Sequence, residues 1–213
     1  MTATQKFTST RDVLRRTLRV LKAAAARRAP LEPDHFSHCV LIEPYAGKTR
    51  LSVSDGFRMH SVLLNEEVAT YHDQEIMAVG LRWLNDRLDL AMDGPVELHV
   101  ERRATPHWDE WNVLFCGKDH ASDQAFKLPV KLPNIDGLIE HGEIQFAAGF
   151  NPVFFFDMVT AAKHWWDQSE LDKAFPLRVL EMHPEKTCVF TIRNSYGVLR
   201  MTLMPKVSNE EEL

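Results

Sequence analysis

Apolar and polar residues alternate in two rhythms along this chain, and the rhythm changes at regular intervals. Leu14, Leu18, Leu21 and Ala25 recur at the spacing of one helical face. Ser9 and Asp12 have the spacing of a capping box, with Asp for the usual Glu, so the pattern predicts a helix starting at Thr10 and stopped by Pro30 and Pro33. Short alternating runs follow at 38–42, 49–53 and 57–64, an antiparallel meander. The order then begins again. Residues 75–79 read as a strand and 81–90 (LRWLNDRLDL) as a helix with Leu81, Leu84 and Leu88 inward, broken at Gly94-Pro95. Strands are predicted at 96–100, 111–115 and 126–130, and the two prolines of 127–134 mark an exit from the sheet.

A third round opens with a strand at 143–146. Asn151-Pro152 then supplies an N-cap and a first-turn proline for a helix over 153–168. Its Phe154, Phe155, Met158, Ala162, Trp165 and Trp166 are expected in the core, and strands at 177–182, 187–192 and 198–203 close the set. Three units of strand, helix and three strands predict an α+β architecture of repeated half-domains with antiparallel sheets. The units share element order, not residues.

Between two of these strands, 51–54 and 59–64, the chain turns at Asp55-Gly56. Asp hydrogen-bonds its own backbone and Gly accepts positive φ, so the pair is a turn signal in its own right.

With 213 residues, 45% hydrophobic and 26% charged, the chain can bury a real core. It has no run of about 18 apolar residues and no apolar leader at its start, so neither a membrane span nor a secretory signal is expected. Cys39, Cys116 and Cys188 are scattered, as buried thiols of a reducing compartment are, and the expected location is the cytoplasm.

Charge changes the picture more than composition does. The net charge is −5, yet residues 11–28 hold Arg11, Arg15, Arg16, Arg19, Lys22, Arg27 and Arg28 against the single acid Asp12. The acids lie elsewhere and end in the tail Glu210-Glu211-Glu212. A basic helix on an acidic body makes a local positive field suited to phosphates, and Arg11, Arg15, Arg16, Arg19 and Lys22 are the candidate DNA-binding residues. The second helix is balanced and the third offers only Lys163 and His164.

Catalytic chemistry finds no foothold. There is no phosphate loop, nucleophile elbow or metalloprotease motif. His35, His38 and Cys39 suggest a metal, but residues three apart in a strand face opposite ways and no second ligand pair has zinc-like spacing. No enzyme activity, cofactor or metal is expected.

Four ordered stretches carry a resemblance to one family. Val53-Ser-Asp-Gly-Phe-Arg-Met59 is similar to a Thr-Asp-Gly-His-Arg-Leu motif, and Lys131-Leu-Pro-Asn-Ile135 to Arg-Phe-Pro-Asp-Tyr. Phe150-Asn-Pro-Val-Phe-Phe-Phe-Asp-Met158 resembles the start of a last helix, and Leu203-Met-Pro-Lys206 a closing Met-Pro-Met-Arg-Leu. Together, over residues 8–207, they resemble the bacterial DNA polymerase III β sliding clamp family.

The resemblance implies a DNA-clamp fold and a homo-oligomeric ring around double-stranded DNA, with helices lining the hole. It implies a processivity factor that works in DNA replication with DNA polymerase, other proteins bearing a clamp-binding motif and a clamp loader. It also implies a peptide-binding pocket walled by Ser54, Gly56, Phe57, Arg58, Met59, Pro133, Leu138, Met204 and Pro205. Phe57 in place of His, Ile135 in place of Tyr and Lys206-Val207 in place of Met-Arg alter its lining.

Residues 1–138 would form one two-unit domain, 139–207 a half-domain or shortened second domain, and 208–213 an acidic tail. Family members carry six half-domains and this chain shows three. A ring of twelve helices would therefore need four copies, and a trimer would resemble phage clamps. The rival expectation is a clamp-fold regulatory or decoy protein that does not encircle DNA.

Overall fold

A computed structural model describes residues 3–25, 36–55, 58–67, 77–91, 93–104, 109–116, 120–127, 152–166, 178–182 and 188–203. The first unit runs β1 (Ala3–Thr10), α1 (Arg11–Leu21), β2 (Cys39–Tyr45), β3 (Lys48–Ser54) and β4 (Arg58–Glu67). The second runs β5 (Met77–Gly80), α2 (Leu81–Leu90), β6 (Pro95–Ala104), β7 (Asp109–Cys116) and β8 (His120–Lys127). The third contributes α3 (Pro152–Trp165), β9 (Arg178–Met182), β10 (Cys188–Asn194) and β11 (Gly197–Leu203). The strand expected at 143–146 and the proline-bearing exit after Lys127 lie outside the described residues.

The eleven described strands hydrogen-bond into one sheet, ordered β1-β6-β7-β8-β5-β2-β3-β4-β11-β10-β9. The first two units exchange their leading strands: β1 pairs with β6 of the second unit, and β5 with β2 of the first. The third unit joins through β11, whose residues Gly197–Leu203 lie antiparallel to Arg58–Leu64. That join is close. Gly197 sits at φ +153°, and a Cβ there would meet the Leu63 carbonyl oxygen at 2.1 Å, so no other residue fits without moving β11 off β4. At the β2–β3 hairpin, Ala46 (φ 50°) and Gly47 (φ 74°) supply the two positive φ values of a tight turn matched to strand twist.

The three helices cover one face of the sheet, with α1 between α2 and α3. Alternation along each strand selects the core. Val40 and Ile42, Leu51 and Val53, Val62 and Leu64, Phe190 and Ile192, and Leu199, Met201 and Leu203 turn to the helices. They meet Leu14, Leu18 and Leu21 of α1, Leu81, Leu84 and Leu88 of α2, and Met158, Ala162 and Trp165 of α3. Full burial of each large side chain is worth about 1.5–3 kcal/mol in transfer free energy. The other face carries Ser52 hydrogen-bonded to Ser61 (3.0 Å), and a buried Arg50–Glu43 ion pair with the Tyr45 ring 4.2 Å from the guanidinium.

Several expectations are corrected. A strand that was not predicted, β1, precedes the first helix, and Ser9 is a buried strand residue rather than a cap. The N-cap is Thr10, whose hydroxyl accepts from Val13 N at 3.4 Å. α1 stops at Leu21, ahead of Pro30 and Pro33, in a 3-10 turn that ends at extended Ala25, whose carbonyl accepts from Arg58. β8 begins at His120 rather than 126, because pairing with β7 outweighs its polar sequence. Phe155, expected in the core, is 43% exposed, while Met158, Ala162, Trp165 and Trp166 are buried.

Candidate functional site

The basic stripe of α1 divides on the helix surface. Arg11 and Arg15 lie on the flank toward α2 and are engaged there. Arg11 donates from Nε to the Leu88 carbonyl (2.9 Å) and pairs with Asp93, and Arg15 reaches Asp89 at 2.8 Å. Arg16 turns the other way, its guanidinium 4.6 Å from the centre of the Tyr196 ring. Arg19 and Lys22 stand exposed.

Because α3 runs antiparallel to α1, its last turn comes beside the first half of α1. Lys163 and His164 thereby join Arg15, Arg16 and Arg19 in a groove of about 330 Å³ that also holds Asp12, Trp166 and Tyr196. Burial, Arg19 and Lys163 all push the His164 pKa down from its ordinary value. The groove therefore presents more cations than acids to whatever enters it, an arrangement suited to phosphate oxygens rather than to base edges. Lys163, His164 and Tyr196 were missing from the predicted contact set. Basic residues in the last turn of α3 were the one local sign, and only the helix packing assigns them to the groove.

The Asp55 corner is built around Arg58. Asp55 accepts from Arg58 N and from Arg58 Nε, both at 3.0 Å, and Ser54 Oγ donates to the Arg58 carbonyl at 2.9 Å. The same guanidinium, 3% exposed as a residue, reaches Asp157 of α3 at 2.5 Å and the Ala25 carbonyl at 3.5 Å, and lies 4.4 Å from the Phe154 ring centre. One side chain thus ties the β3–β4 corner to the end of α1 and the start of α3. It also borders a cavity of about 560 Å³ between α1 and α2, together with Lys22, His38, Arg82, Asp86 and Asp157.

Adjacent strand residues face opposite ways, and this splits the predicted peptide wall. Arg58 points to the helices. Met59 points to the other face, where it packs on Val189 while the Thr202 hydroxyl donates to its carbonyl at 3.2 Å. Leu203 lies opposite Arg58, so the end of β11 arrives at the corner that the four-stretch resemblance assigned to the same pocket. Gly56, Phe57, Pro133, Leu138, Met204 and Pro205 lie outside the described residues.

Next to Arg58 on the helix side, His60 is fully buried, with Nδ1 3.0 Å from the Val20 carbonyl. Nδ1 is therefore the protonated nitrogen, and Nε2 finds no partner among the described residues. Burial above all, with a smaller push from Arg58, takes the His60 pKa down to about 4, against the Val20 hydrogen bond, Asp157 and Asp55, which act in the raising direction. No three His, Cys, Asp or Glu side chains gather as metal ligands among the described residues, and none of their helices is long and apolar enough to cross a membrane.

A single helical layer on one face of a continuous antiparallel sheet, assembled from strand-helix-three-strand units with exchanged leading strands, is the architecture of the DNA sliding clamps. Solved structures show that fold directly. The chain is similar to DNA polymerase III subunit beta from Borrelia burgdorferi, with TM-score 0.63 and 8% identity over 94% of this chain and 63% of that one. It is similar to the C. crescentus beta sliding clamp, with TM-score 0.61 and 10% identity over 97% of this chain and 66% of that one. It also matches Proliferating Cellular Nuclear Antigen from Entamoeba histolytica, with TM-score 0.52 and 9% identity over 96% and 98% of the two chains. The chain thus spans about two thirds of the length of these bacterial beta subunits. No family model matches the sequence, and no curated protein matches it.

Proposed function

We propose that this chain is a DNA sliding clamp, a non-enzymatic processivity factor of the cytoplasm that assembles as a homo-oligomeric ring around double-stranded DNA. The observation that carries the reading is the cationic α1–α3 groove, placed on the helix-bearing face of a clamp-fold sheet in a chain of net charge −5. A ring that slides needs loose phosphate contact inside and little attraction outside, and this charge placement supplies both. Residues 1–138 act as one two-unit module and 139–207 as half of another, so several copies are needed to close a ring. Polymerase and other clients dock a short peptide near the Asp55 corner, on the side of Met59 and the end of β11, and a clamp loader opens the ring.

Retention on DNA tests the proposal. Loaded on nicked circular duplex, the protein stays bound through a high-salt wash and leaves when the circle is cut, because a ring slides off an end. Equal retention before and after cutting would refute encirclement. It would leave the rival reading, a clamp-fold protein that competes for client peptides without encircling DNA.

A further inference from the structure

We infer that the third unit is half of a module that a second copy of this chain completes, the two α3 helices docking across a two-fold axis. The warrant comes from how the first two units join. Leu14, Leu18 and Leu21 of α1 have the same spacing as Met158, Ala162 and Trp165 of α3, and both triplets face the sheet. Counting from Leu14 and from Met158, the positions three before and one after are Arg11 and Arg15 in α1, and Phe155 and Val159 in α3. In α1 these positions form the flank that packs on α2, where Arg11 pairs with Asp93 and Arg15 with Asp89. In α3 no described helix packs on the same flank: Phe155 meets Phe190 edge-on yet is 43% exposed, Val159 is 40% exposed, and Phe156 beside them is 75% exposed.

The residue types decide which partner fits. Two different helices can pair through opposite charges, as α1 and α2 do. A helix that meets its own copy across a two-fold sets like against like, so charge would repel and an apolar flank is self-complementary. The far end of the molecule offers a poorer match, since beside the exposed Leu90 the surface of α2 carries Arg82, Asp86 and Asp89. Head-to-tail packing would bury those charges against phenylalanine, and the Arg82–Asp86 and Arg15–Asp89 pairs would lose their water without gaining a partner from α3.

The sheet points the same way. β2 and β6, the first meander strands of their units, are each flanked by the other unit's leading strand. β9 holds the corresponding place in the third unit, and no described strand lies on its outer edge. A second copy is positioned to flank that edge as it docks its helix, which gives a chain pair three complete modules. This inference does not require that DNA be encircled.

Disulfide trapping tests it. Phe156→Cys, at an exposed position, is oxidised under mild conditions alongside the parent chain, with mass read by non-reducing electrophoresis and light scattering. The expected result is an even-numbered assembly in the parent, a covalent dimer in Phe156→Cys alone, and loss of half or more of the assembly mass in Phe156→Asp with Val159→Asp. A parent that is monomeric, or a double variant of unchanged mass, would overturn the inference. So would a covalent product formed only when Phe156→Cys is mixed with Leu90→Cys, which would mean head-to-tail contact.

Discussion

His60 makes the stability of this protein depend on pH in a calculable way. In the fold its ring is neutral and buried, with Nδ1–H donated to the Val20 carbonyl, and its pKa is pushed down to about 4. The unfolded chain restores the ordinary value of 6.5. Above pH 6.5 both states hold the imidazole neutral and the fold is at full strength. As pH falls below 6.5 the unfolded state takes up a proton that the folded state refuses, so stability declines until the folded-state pKa is reached. With the pKa at 6.5 unfolded and about 4 folded, and about 1.36 kcal/mol for each tenfold change in proton affinity, the loss is about 3 kcal/mol between pH 6.5 and 4. That is a large share of the roughly 5–15 kcal/mol that holds a typical domain.

Urea unfolding at half-unit steps from pH 7.5 to 4, for the parent and for His60→Gln, isolates the effect. Glutamine keeps an N–H donor for Val20 but does not titrate, so its stability curve is flatter than the parent's across this window. Carboxylates and the other nine histidines contribute equally to both proteins and cancel in the difference. If the two pH curves run parallel, the buried neutral histidine is not the cause and the reasoning fails.

Three further outcomes follow from single contacts. Arg58→Ala removes the guanidinium shared by Asp55 and Asp157 and lowers unfolding free energy by about 3–5 kcal/mol, measured by urea titration at pH 7; Arg58→Lys recovers only part, having no planar fork. Gly197→Ala drives a methyl into the Leu63 carbonyl and costs about 2 kcal/mol or more, with thermal melting as the readout; an unchanged melting temperature would show that β11 is free to shift. Arg19→Glu with Lys163→Glu lowers the slope of log affinity against log salt on duplex DNA by about 1.8, since two phosphate contacts are lost, while folding is untouched; an unchanged slope would place DNA elsewhere.

The repeat of element order was legible because it is written in local periodicity. Residues 81–90 were predicted and observed as one helix, since its leucines lie within the segment and the Gly94-Pro95 break follows four residues after its end. β1 was not legible. Of its eight residues only Phe7 is large and apolar, and what makes it a strand is pairing along its whole length with β6, some ninety residues away in sequence. β8 hid for the same reason. The corner was half legible: Asp55 and Arg58 are near neighbours, but Asp157 joins them from 99 residues further on. Phe155 misled because an aromatic in a helix rich in core residues reads as core, and nothing local says that no described helix packs on its flank.

The cationic stripe shows how one spacing can serve two ends. Arg11, Arg15, Arg19 and Lys22 share a periodicity, and sequence alone treats them as one set facing one ligand. In the fold Asp89 of α2 pairs with Arg15 and Asp93, just past that helix, pairs with Arg11, so those charges hold α1 to its neighbour and are largely cancelled at a distance. Arg16 and Arg19 stay with the α3 side, where Lys163 adds to them. Arg15, Arg16, Arg19 and Lys163 therefore gather in the groove between α1 and α3, while Lys22 borders the cavity on the α2 side. Charge reversal at Arg11 should accordingly be read first in stability, whereas reversal at Arg19 should be read first in the salt dependence of DNA binding.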